Sequence, residues 1–142
     1  MVDSVDRQTR SRIMSRVRNR DTRPEMIVRK LVFAEGYRYR LHGRKLPGRP
    51  DLVFAGRRKV IFVHGCFWHR HEGCSLARLP KSRHNFWIPK LEANRKRDEQ
   101  NLAALAEAGW EAFVVWECEL KDLDALRSKI THFLSSPPAG DR

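Results

Sequence analysis

The segment DLVFAGRRKVIFVHGCFWHRHEGC, residues 51–74, determines the fold class of this chain and carries most of its reactive side chains. Two apolar runs separated by a short turn at Gly56 are typical of a β-hairpin. The second run, residues 60–63, is apolar throughout and predicts a strand that is buried in a sheet. Directly after it, the stretch from His64 to Cys74 contains three histidines and two cysteines. The segment therefore predicts a sheet that leads into a metal-binding loop.

The rest of the chain supplies helices and strands around this hairpin. Asp21 or Thr22 can cap a helix that has Pro24 in its first turn and Gly36 at its end. The buried face of this helix is expected to contain Met26, Ile27, Leu31, Val32 and Phe33. The other predicted elements are a strand over 37–43, a helix over 85–109, a strand over 110–117 and a helix over 120–134. The order α-β-β-β-α-β-α predicts a single α/β domain with a mixed β-sheet flanked by helices.

Three regions of the chain differ in composition. Residues 1–20 are polar and basic and are expected to form an arm that orders on a partner. Residues 21–134 are expected to form the folded domain, and residues 135–142 a disordered tail. No apolar run approaches the roughly 20 residues of a membrane span, and the opening residues lack the apolar core of a signal peptide. A cytoplasmic protein without a membrane partner is the resulting expectation.

The charge balance indicates the class of partner. The 142 residues include 29 Lys+Arg against 17 Asp+Glu, a formal net charge of +12. So large an excess on a small domain is typical of a protein that binds a polyanion. A solubilising surface and an anionic membrane are the alternatives, but no basic amphipathic helix with a broad apolar face favours the membrane. Nucleic acid is therefore the leading class of partner.

The cysteines and histidines suggest a metal centre. An odd number of cysteines in a reducing compartment indicates ligands or core thiols rather than disulfides. Cys66, His71 and Cys74 lie close together in sequence, and Cys118 follows a predicted strand. Three cysteines and one histidine are a familiar set for structural zinc, and a ligand from a distant strand would fix the loop to the sheet. The alternative is that Cys118 is a core thiol and the other cysteines are incidental.

A zinc site of that composition leaves His64 and His69 for another role. Asp51 opens one strand of the hairpin and His64 closes the next, so antiparallel pairing would bring them to the same edge. Glu25, at the start of the first helix, is a third candidate. A carboxylate can hold Mg²⁺ against a phosphate, and a neutral histidine can take a proton from water, which together fit phosphodiester hydrolysis. By pattern alone, Asp51 could equally be an ordinary residue at the start of a strand.

Five segments together resemble the very short patch repair (Vsr) endonucleases. They are RSRIMSRVRNRDTRPE, LPGRPDLVF, IFVHGCFWHRHEGC, FWIPKLEANRKRD and GWEAFVVWECEL. The resemblance covers most of the chain, and VHGCFWHRH followed by VVWEC is its most specific part. It implies a core similar to that of restriction endonucleases with an added structural zinc. It also implies Mg²⁺-dependent nicking on the 5′ side of the thymine in T:G mismatches, which arise when 5-methylcytosine deaminates.

The resemblance implies roles for individual residues of the active site. Asp51 is the implied metal-binding carboxylate, and the backbone carbonyl of Val63 is an implied second ligand of Mg²⁺. His69 is the implied base or proton shuttle, with His64 and Glu25 as supporting catalytic residues. Val63 and His64 stand where the general restriction-type signature has an acidic residue and a lysine, so that signature alone would misplace the site.

The resemblance also implies residues that contact DNA. Phe67 and Trp68 match aromatic side chains that wedge into the base stack, and Met14 matches a residue that inserts from the other groove. Trp87 and Lys90 are expected to contact DNA as well. The implied zinc ligands are the same four that the pattern of cysteines and histidines favours. An aromatic pair in a hydrophilic loop suits such a wedge, although one ring could instead pack under the loop.

The expected partner is double-stranded DNA with a T:G mismatch, bound by a monomer that is functionally linked to a cytosine-5 DNA methyltransferase. Two other functions remain open from the sequence. One is a restriction endonuclease that cuts both strands of matched DNA. The other is a zinc-stabilised DNA-binding module in which Asp51, His64 and His69 are structural.

Overall fold

The strand β3 (Lys59–His64) runs through the interior of a four-stranded sheet. It pairs antiparallel with β2 (Leu52–Phe54), which pairs antiparallel with the short strand β1 (Arg40–Leu41). On its other side β3 pairs parallel with β4 (Glu111–Trp116). The sheet is therefore mixed, as the sequence predicted, and its strand order is β1-β2-β3-β4. The computed structural model describes residues 22–137.

Three α-helices cover the two faces of this sheet. Helices α1 (Arg23–Ala34) and α3 (Leu123–Ser135) pack on one face, and α2 (His84–Glu107) packs on the other. Ile61 points to the α1 and α3 side, whereas Val60 and Phe62 pack on the α2 side. Alternate residues of a strand point to opposite faces of the sheet. Because helices cover both faces, every residue in the middle of β3, from Val60 to Val63, is apolar. Short 3₁₀ turns span Ala55–Arg57, Ser75–Ala77 and Glu117–Lys121.

The buried face of α1 differs from the predicted one. Met26 and Phe33 are 39% and 54% exposed, so their assignment to the core was wrong. Val28 is fully buried instead, and the charged residues Glu25 and Arg29 are also buried. These two pair with each other, which permits their burial. Helix α1 therefore presents a charged patch, and not only an apolar stripe, to the interior.

The C-terminal end of the domain is held by a buried lysine. Lys59 Nζ donates to the backbone oxygen of Ser136 at 2.8 Å and also bonds the carbonyl of Phe133. Ser135 lies in α3, so ordered packing continues past residue 134. Residues 1–21 and 138–142, which include Met14, the predicted arm and most of the predicted tail, lie outside the described residues. Within residues 22–137, no helix is long and apolar enough to span a membrane.

Candidate active site and metal centre

One cavity of about 240 Å³ brings together five residues that the sequence singled out. They are Glu25, Asp51, Val63, His64 and His69. Glu25 comes from α1, Asp51 immediately precedes β2, and Val63 and His64 end β3. Because β2 and β3 are antiparallel, the start of β2 lies beside the end of β3, which is the juxtaposition expected from the hairpin.

Asp51 is held in place by the neighbouring strand. Its Oδ2 accepts a hydrogen bond of 2.6 Å from the backbone N–H of Val63. The pKa of Asp51 is raised from 3.8 to about 6, chiefly by burial; the hydrogen bond from Val63 lowers it, and the nearby Glu25 carboxylate contributes to the rise. An anionic carboxylate is therefore costly in this position, and a bound cation would stabilise it.

A small polar network connects Asp51 with α1. Arg29 Nη2 donates to Glu25 Oε2 at 3.3 Å and lies 3.3 Å from His42 Nε2. One ligand atom each from Glu25, His42 and Asp51 lies within 4.8 Å of the others. His42 was not predicted from the sequence, but its backbone N–H donates to the carbonyl of Asp51 and continues the β1–β2 ladder. The register of that strand pair was the signal that could have located it.

The two histidines of the cavity form a stacked pair. The rings of His64 and His69 are nearly parallel, with centroids 3.8 Å apart. His69 Nδ1 lies 2.6 Å from Asp98 Oδ2 on α2. Burial, and then the neighbouring His69, lowers the pKa of His64 to about 4, so His64 is neutral at neutral pH. Asp98 was not singled out from the sequence because it lies in a run of basic residues.

The trio of His64, His69 and Asp98 is better suited to proton transfer than to metal binding, although its donor atoms also lie within 4.8 Å of one another. Face-to-face imidazoles direct their lone pairs in parallel, so the two rings cannot both point at one ion. Asp98 also occupies one nitrogen of His69. This pairing orients the ring and leaves Nε2 as the nitrogen that can accept a proton.

The four predicted zinc ligands form a second cluster. One donor atom from each of Cys66, His71, Cys74 and Cys118 lies within 4.8 Å of the others. Cys118 Sγ is 3.5 Å from His71 Nδ1, and tetrahedral zinc needs donor atoms roughly 3.3–3.8 Å apart. The His71 ring stacks on Trp116 with centroids 4.1 Å apart, which fixes its orientation.

The chemistry of this donor set suits a soft divalent ion. Burial raises the pKa of the Cys66 thiol to about 12 and also raises the pKa of Cys118. A coordinated metal deprotonates such thiols and stabilises the thiolates. Sulfur and imidazole ligands fit zinc, whereas Mg²⁺ prefers oxygen ligands.

Aromatic residues of the loop and of α2 form a cluster, which we call the aromatic surface. Phe67 and Trp68 have ring centroids 5.1 Å apart, and both contact Trp87 at 5.4 and 5.9 Å. Trp68 is 40% exposed and Phe86 is 46% exposed, while Phe67 is half-buried. Lys90 Nζ lies 5.7 Å from the Trp68 ring centroid. The structure thus brings together all the predicted DNA-contacting residues that it describes.

Comparison with known families gives this geometry its context. The family model described as DNA mismatch endonuclease Vsr matches residues 2–75 of the chain, including Glu25, Asp51 and the whole segment from His64 to Cys74. The chain belongs to the Vsr family. It is accordingly a DNA endonuclease, a hydrolase of DNA repair.

Relatives of the Vsr family resemble the chain over most of its length. The type II nicking enzyme V.XorIIP of Xanthomonas oryzae pv. oryzae is 53% identical over 134 residues, which cover 94% of this chain and 98% of the relative. The type II nicking enzyme V.NmeAIP of Neisseria meningitidis is 37% identical, covering 94% and 95%. The DNA mismatch endonuclease Vsr of Escherichia coli is 41% identical over 126 residues, covering 89% of this chain and 80% of the relative.

Proposed function

We propose that this endonuclease nicks double-stranded DNA on the 5′ side of the thymine in a T:G mismatch, in a reaction that depends on Mg²⁺. The observation that carries the proposal is the single cavity in which Asp51 lies with the His69–Asp98 pair. A metal-binding carboxylate and an oriented base are groups that metal-assisted hydrolysis of a phosphodiester uses. We also infer that the mixed sheet and its helices form a core of the restriction-endonuclease type, as the resemblance implies.

His69 acts as the base in the proposed reaction. With Nδ1 bound to Asp98 at 2.6 Å, its Nε2 takes a proton from water. The water oxygen attacks phosphorus, and the bond from phosphorus to the leaving sugar oxygen breaks as that oxygen gains a proton from solvent. Asp98 stabilises the imidazolium that forms, and the neutral His64 holds the His69 ring by stacking.

The oxygen ligands around Asp51 fit Mg²⁺. Asp51 and the backbone carbonyl of Val63 would hold the ion, and Glu25 lies close enough to support it. When bound, Mg²⁺ neutralises phosphate charge and activates water. Asp51 Oδ2 accepts the hydrogen bond from Val63, which leaves Oδ1 free to act as a ligand.

The zinc site has a structural role in the proposal. Cys66 and His71 would hold zinc from the loop, and Cys118 would hold it from the end of β4. Between Cys66 and His71 the chain carries Phe67, Trp68 and His69. A single zinc ion would therefore fix the positions of both the proposed base, His69, and the proposed wedge, Phe67 and Trp68, because they lie between two of its ligands.

The aromatic surface is proposed to recognise the mismatch. Wedging a ring between base pairs costs a few kcal/mol of unstacking, and this cost is lowest at a mismatched pair. Phe67, Trp68 and Trp87 would stack on the opened bases, and Met14 would insert from the other groove. Lys90 lies beside Trp68, where it would contact a phosphate.

The proposed enzyme acts as a monomer on DNA in the cytoplasm, after a cytosine-5 methyltransferase has supplied the methylated base. Nicking of paired duplexes that differ only in one T:G or T:A pair, with and without Mg²⁺, tests the proposal. We expect a nick in one strand of the T:G duplex, and only when Mg²⁺ is present. Cleavage of both strands of the T:A duplex would support a restriction endonuclease, and absence of any nick would support a DNA-binding module.

A further inference from the structure

The active-site cavity poses an electrostatic problem for a DNA phosphate. Three carboxylates line it, those of Glu25, Asp51 and Asp98. A phosphodiester would bring a further negative charge, and more negative charge develops on its oxygens during hydrolysis. Among the described lining residues, Arg49 alone carries a permanent positive charge.

The guanidinium of Arg49 is available for an incoming group. The residue is exposed, and within residues 22–137 no hydrogen bond or ion pair engages its side chain. Other arginines near the site are engaged, since Arg29 pairs with Glu25 and Arg70 pairs with Glu92. Arg49 thus differs from Arg29 and Arg70 in having its donors free of partners among the described residues, at the edge of the cavity.

The backbone holds Arg49 in a fixed and unfavourable conformation. Its φ is 49°, in the left-handed region that bulky side chains rarely adopt. Its N–H donates to the carbonyl of Leu46 at 3.1 Å. At Gly48, a Cβ would lie 3.0 Å from Asn101 Cβ and 3.1 Å from Phe62 Cε1, so glycine lets the loop lie against α2 and β3. Strain of this kind concentrates at functional sites.

We propose that Arg49 is a further catalytic residue, which binds the non-bridging oxygens of the scissile phosphate and stabilises the charge that develops there. The proposal rests on the proposed function of the cavity. A guanidinium can donate two parallel hydrogen bonds to two phosphate oxygens, which gives orientation as well as charge. The positive charge of Arg49 balances the negative charge of one carboxylate in the cavity, so the phosphate can approach Asp51 and His69.

Variants of Arg49 and of a neighbouring arginine test this role. Arg49→Gln removes the charge, Arg49→Lys keeps the charge without the planar fork, and Arg44→Gln is the matched control. Arg44 is exposed in the same loop and does not line the cavity. The measurements are single-turnover nicking of a T:G duplex at saturating enzyme with Mg²⁺, and the Kd for the same duplex without Mg²⁺.

We expect Arg49→Gln to lower the nicking rate by about 10²–10³-fold, the usual loss for one donor to a developing anion. Its Kd should change by less than about threefold, since one phosphate contact contributes little to total affinity. Arg49→Lys should recover part of the rate, and Arg44→Gln should keep it. Arg49→Gly should raise the Tm by a few degrees by relieving the left-handed strain while still losing the rate, which separates catalysis from folding.

A nicking rate that is as high in Arg49→Gln as in Arg44→Gln would overturn the proposal. So would a change in Kd alone, which would make Arg49 one of many cations that contact the DNA backbone. The wild-type protein serves as the test of the underlying function. Failure of the wild type to nick the T:G duplex refutes the proposed function together with this role, whereas normal nicking by both wild type and Arg49→Gln refutes only the role of Arg49.

Discussion

Replacing Asp51 by asparagine is expected to stabilise the metal-free protein and to abolish nicking. Asparagine has nearly the same shape and keeps an oxygen that can accept the hydrogen bond from Val63 N–H, now 2.6 Å from Asp51 Oδ2. It lacks the negative charge, which is unfavourable in this buried position beside Glu25. The variant therefore separates the electrostatic cost of the carboxylate from its packing.

The size of the stabilisation follows from the pKa of Asp51. Because the pKa is raised from 3.8 to about 6, the folded protein binds this proton more tightly than the unfolded chain does. The resulting stability is fully present below pH 3.8 and is lost as the pH rises through about 6. At about 1.36 kcal/mol per pKa unit the shift corresponds to about 3 kcal/mol, and partial solvation lowers the expected effect to about 1–3 kcal/mol.

Urea denaturation near neutral pH measures this difference in buffer that contains neither Mg²⁺ nor a chelator, because a chelator would also remove zinc. Asp122→Asn is the matched control. Asp122 is an exposed N-cap that accepts from Ala125 N–H, and asparagine caps as well as aspartate. We expect the control to change stability by less than about 0.5 kcal/mol.

Two further readouts of Asp51→Asn concern the metal and the reaction. Saturating Mg²⁺ should raise the unfolding free energy of the wild type and of Asp122→Asn, but not that of Asp51→Asn, because only a bound ligand stabilises the folded state in this way. Nicking should fall below detection while DNA binding stays intact or tightens. The assignment of Asp51 as a metal ligand whose buried charge destabilises the metal-free protein would be refuted if Asp51→Asn were less stable than the wild type. Equal stabilisation of all three proteins by Mg²⁺ would also refute it.

Three other predictions concern the metal centre, the base and the wedge. Cys118→Ser should lower the zinc content from one per chain to near zero and lower the Tm; full zinc content with unchanged Tm would contradict the ligand assignment. His69→Ala should lower the nicking rate by about 10²–10⁴-fold and Asp98→Asn by a smaller factor, both with zinc retained, and loss of zinc from His69→Ala would mean that the histidine roles are exchanged. Trp68→Ala should lower nicking of T:G duplex by about 5- to 150-fold with little change in non-specific binding, and equal proportional losses on T:A duplex would mean that the ring only packs within the protein.

Local patterns were sufficient to predict the order of elements and the grouping of three cysteines with His71. Cys66 and Cys74 lie in one loop, and the loops that follow β3 and β4 leave the sheet at the same edge because these strands are parallel. His64 is paired in register with Trp116, so Cys118 necessarily lies near Cys66. Residues that are close in sequence or follow neighbouring strands can be grouped in this way without coordinates.

Asp98 and His42 could not be predicted in this way. Asp98 lies among Arg95, Arg97 and Glu99, and that pattern indicates a solvated basic helix rather than a partner for His69. His42 depends on the register of a two-residue strand, which hydrophobic alternation does not determine. In both cases the burial of a polar residue depends on a partner distant in sequence, whereas periodicity reports only the average polarity of a face.

The basic run Arg57-Arg58-Lys59 shows why net charge alone is a poor guide to the DNA-binding surface. Arg57 donates to the carbonyl of Leu134 at 2.8 Å, and Lys59 donates to that of Phe133, both near the C-terminal end of α3. Arg58 donates to the carbonyl of Ala108, at the C-terminal end of α2, at 2.7 Å. These cations satisfy carbonyls at the C-terminal ends of helices, where positive charge is favourable. Lys59 begins β3, and His64, which lines the active-site cavity, ends it roughly 16 Å away at about 3.3 Å per residue.

Cations that cap helix ends, such as Arg57, and cations expected to contact DNA, such as Lys90, should therefore respond differently to substitution. Arg57→Gln is expected to lower the unfolding free energy by about 1 kcal/mol, since it removes a charged hydrogen bond to a helix end. It should leave the salt dependence of DNA binding unchanged. Lys90→Gln should leave stability unchanged but reduce the slope of log K against log salt by about 0.9, the value for one lost phosphate contact. A reduced slope in Arg57→Gln would show that this end of the sheet also contacts DNA, and the capping role would then not account for the run of basic residues.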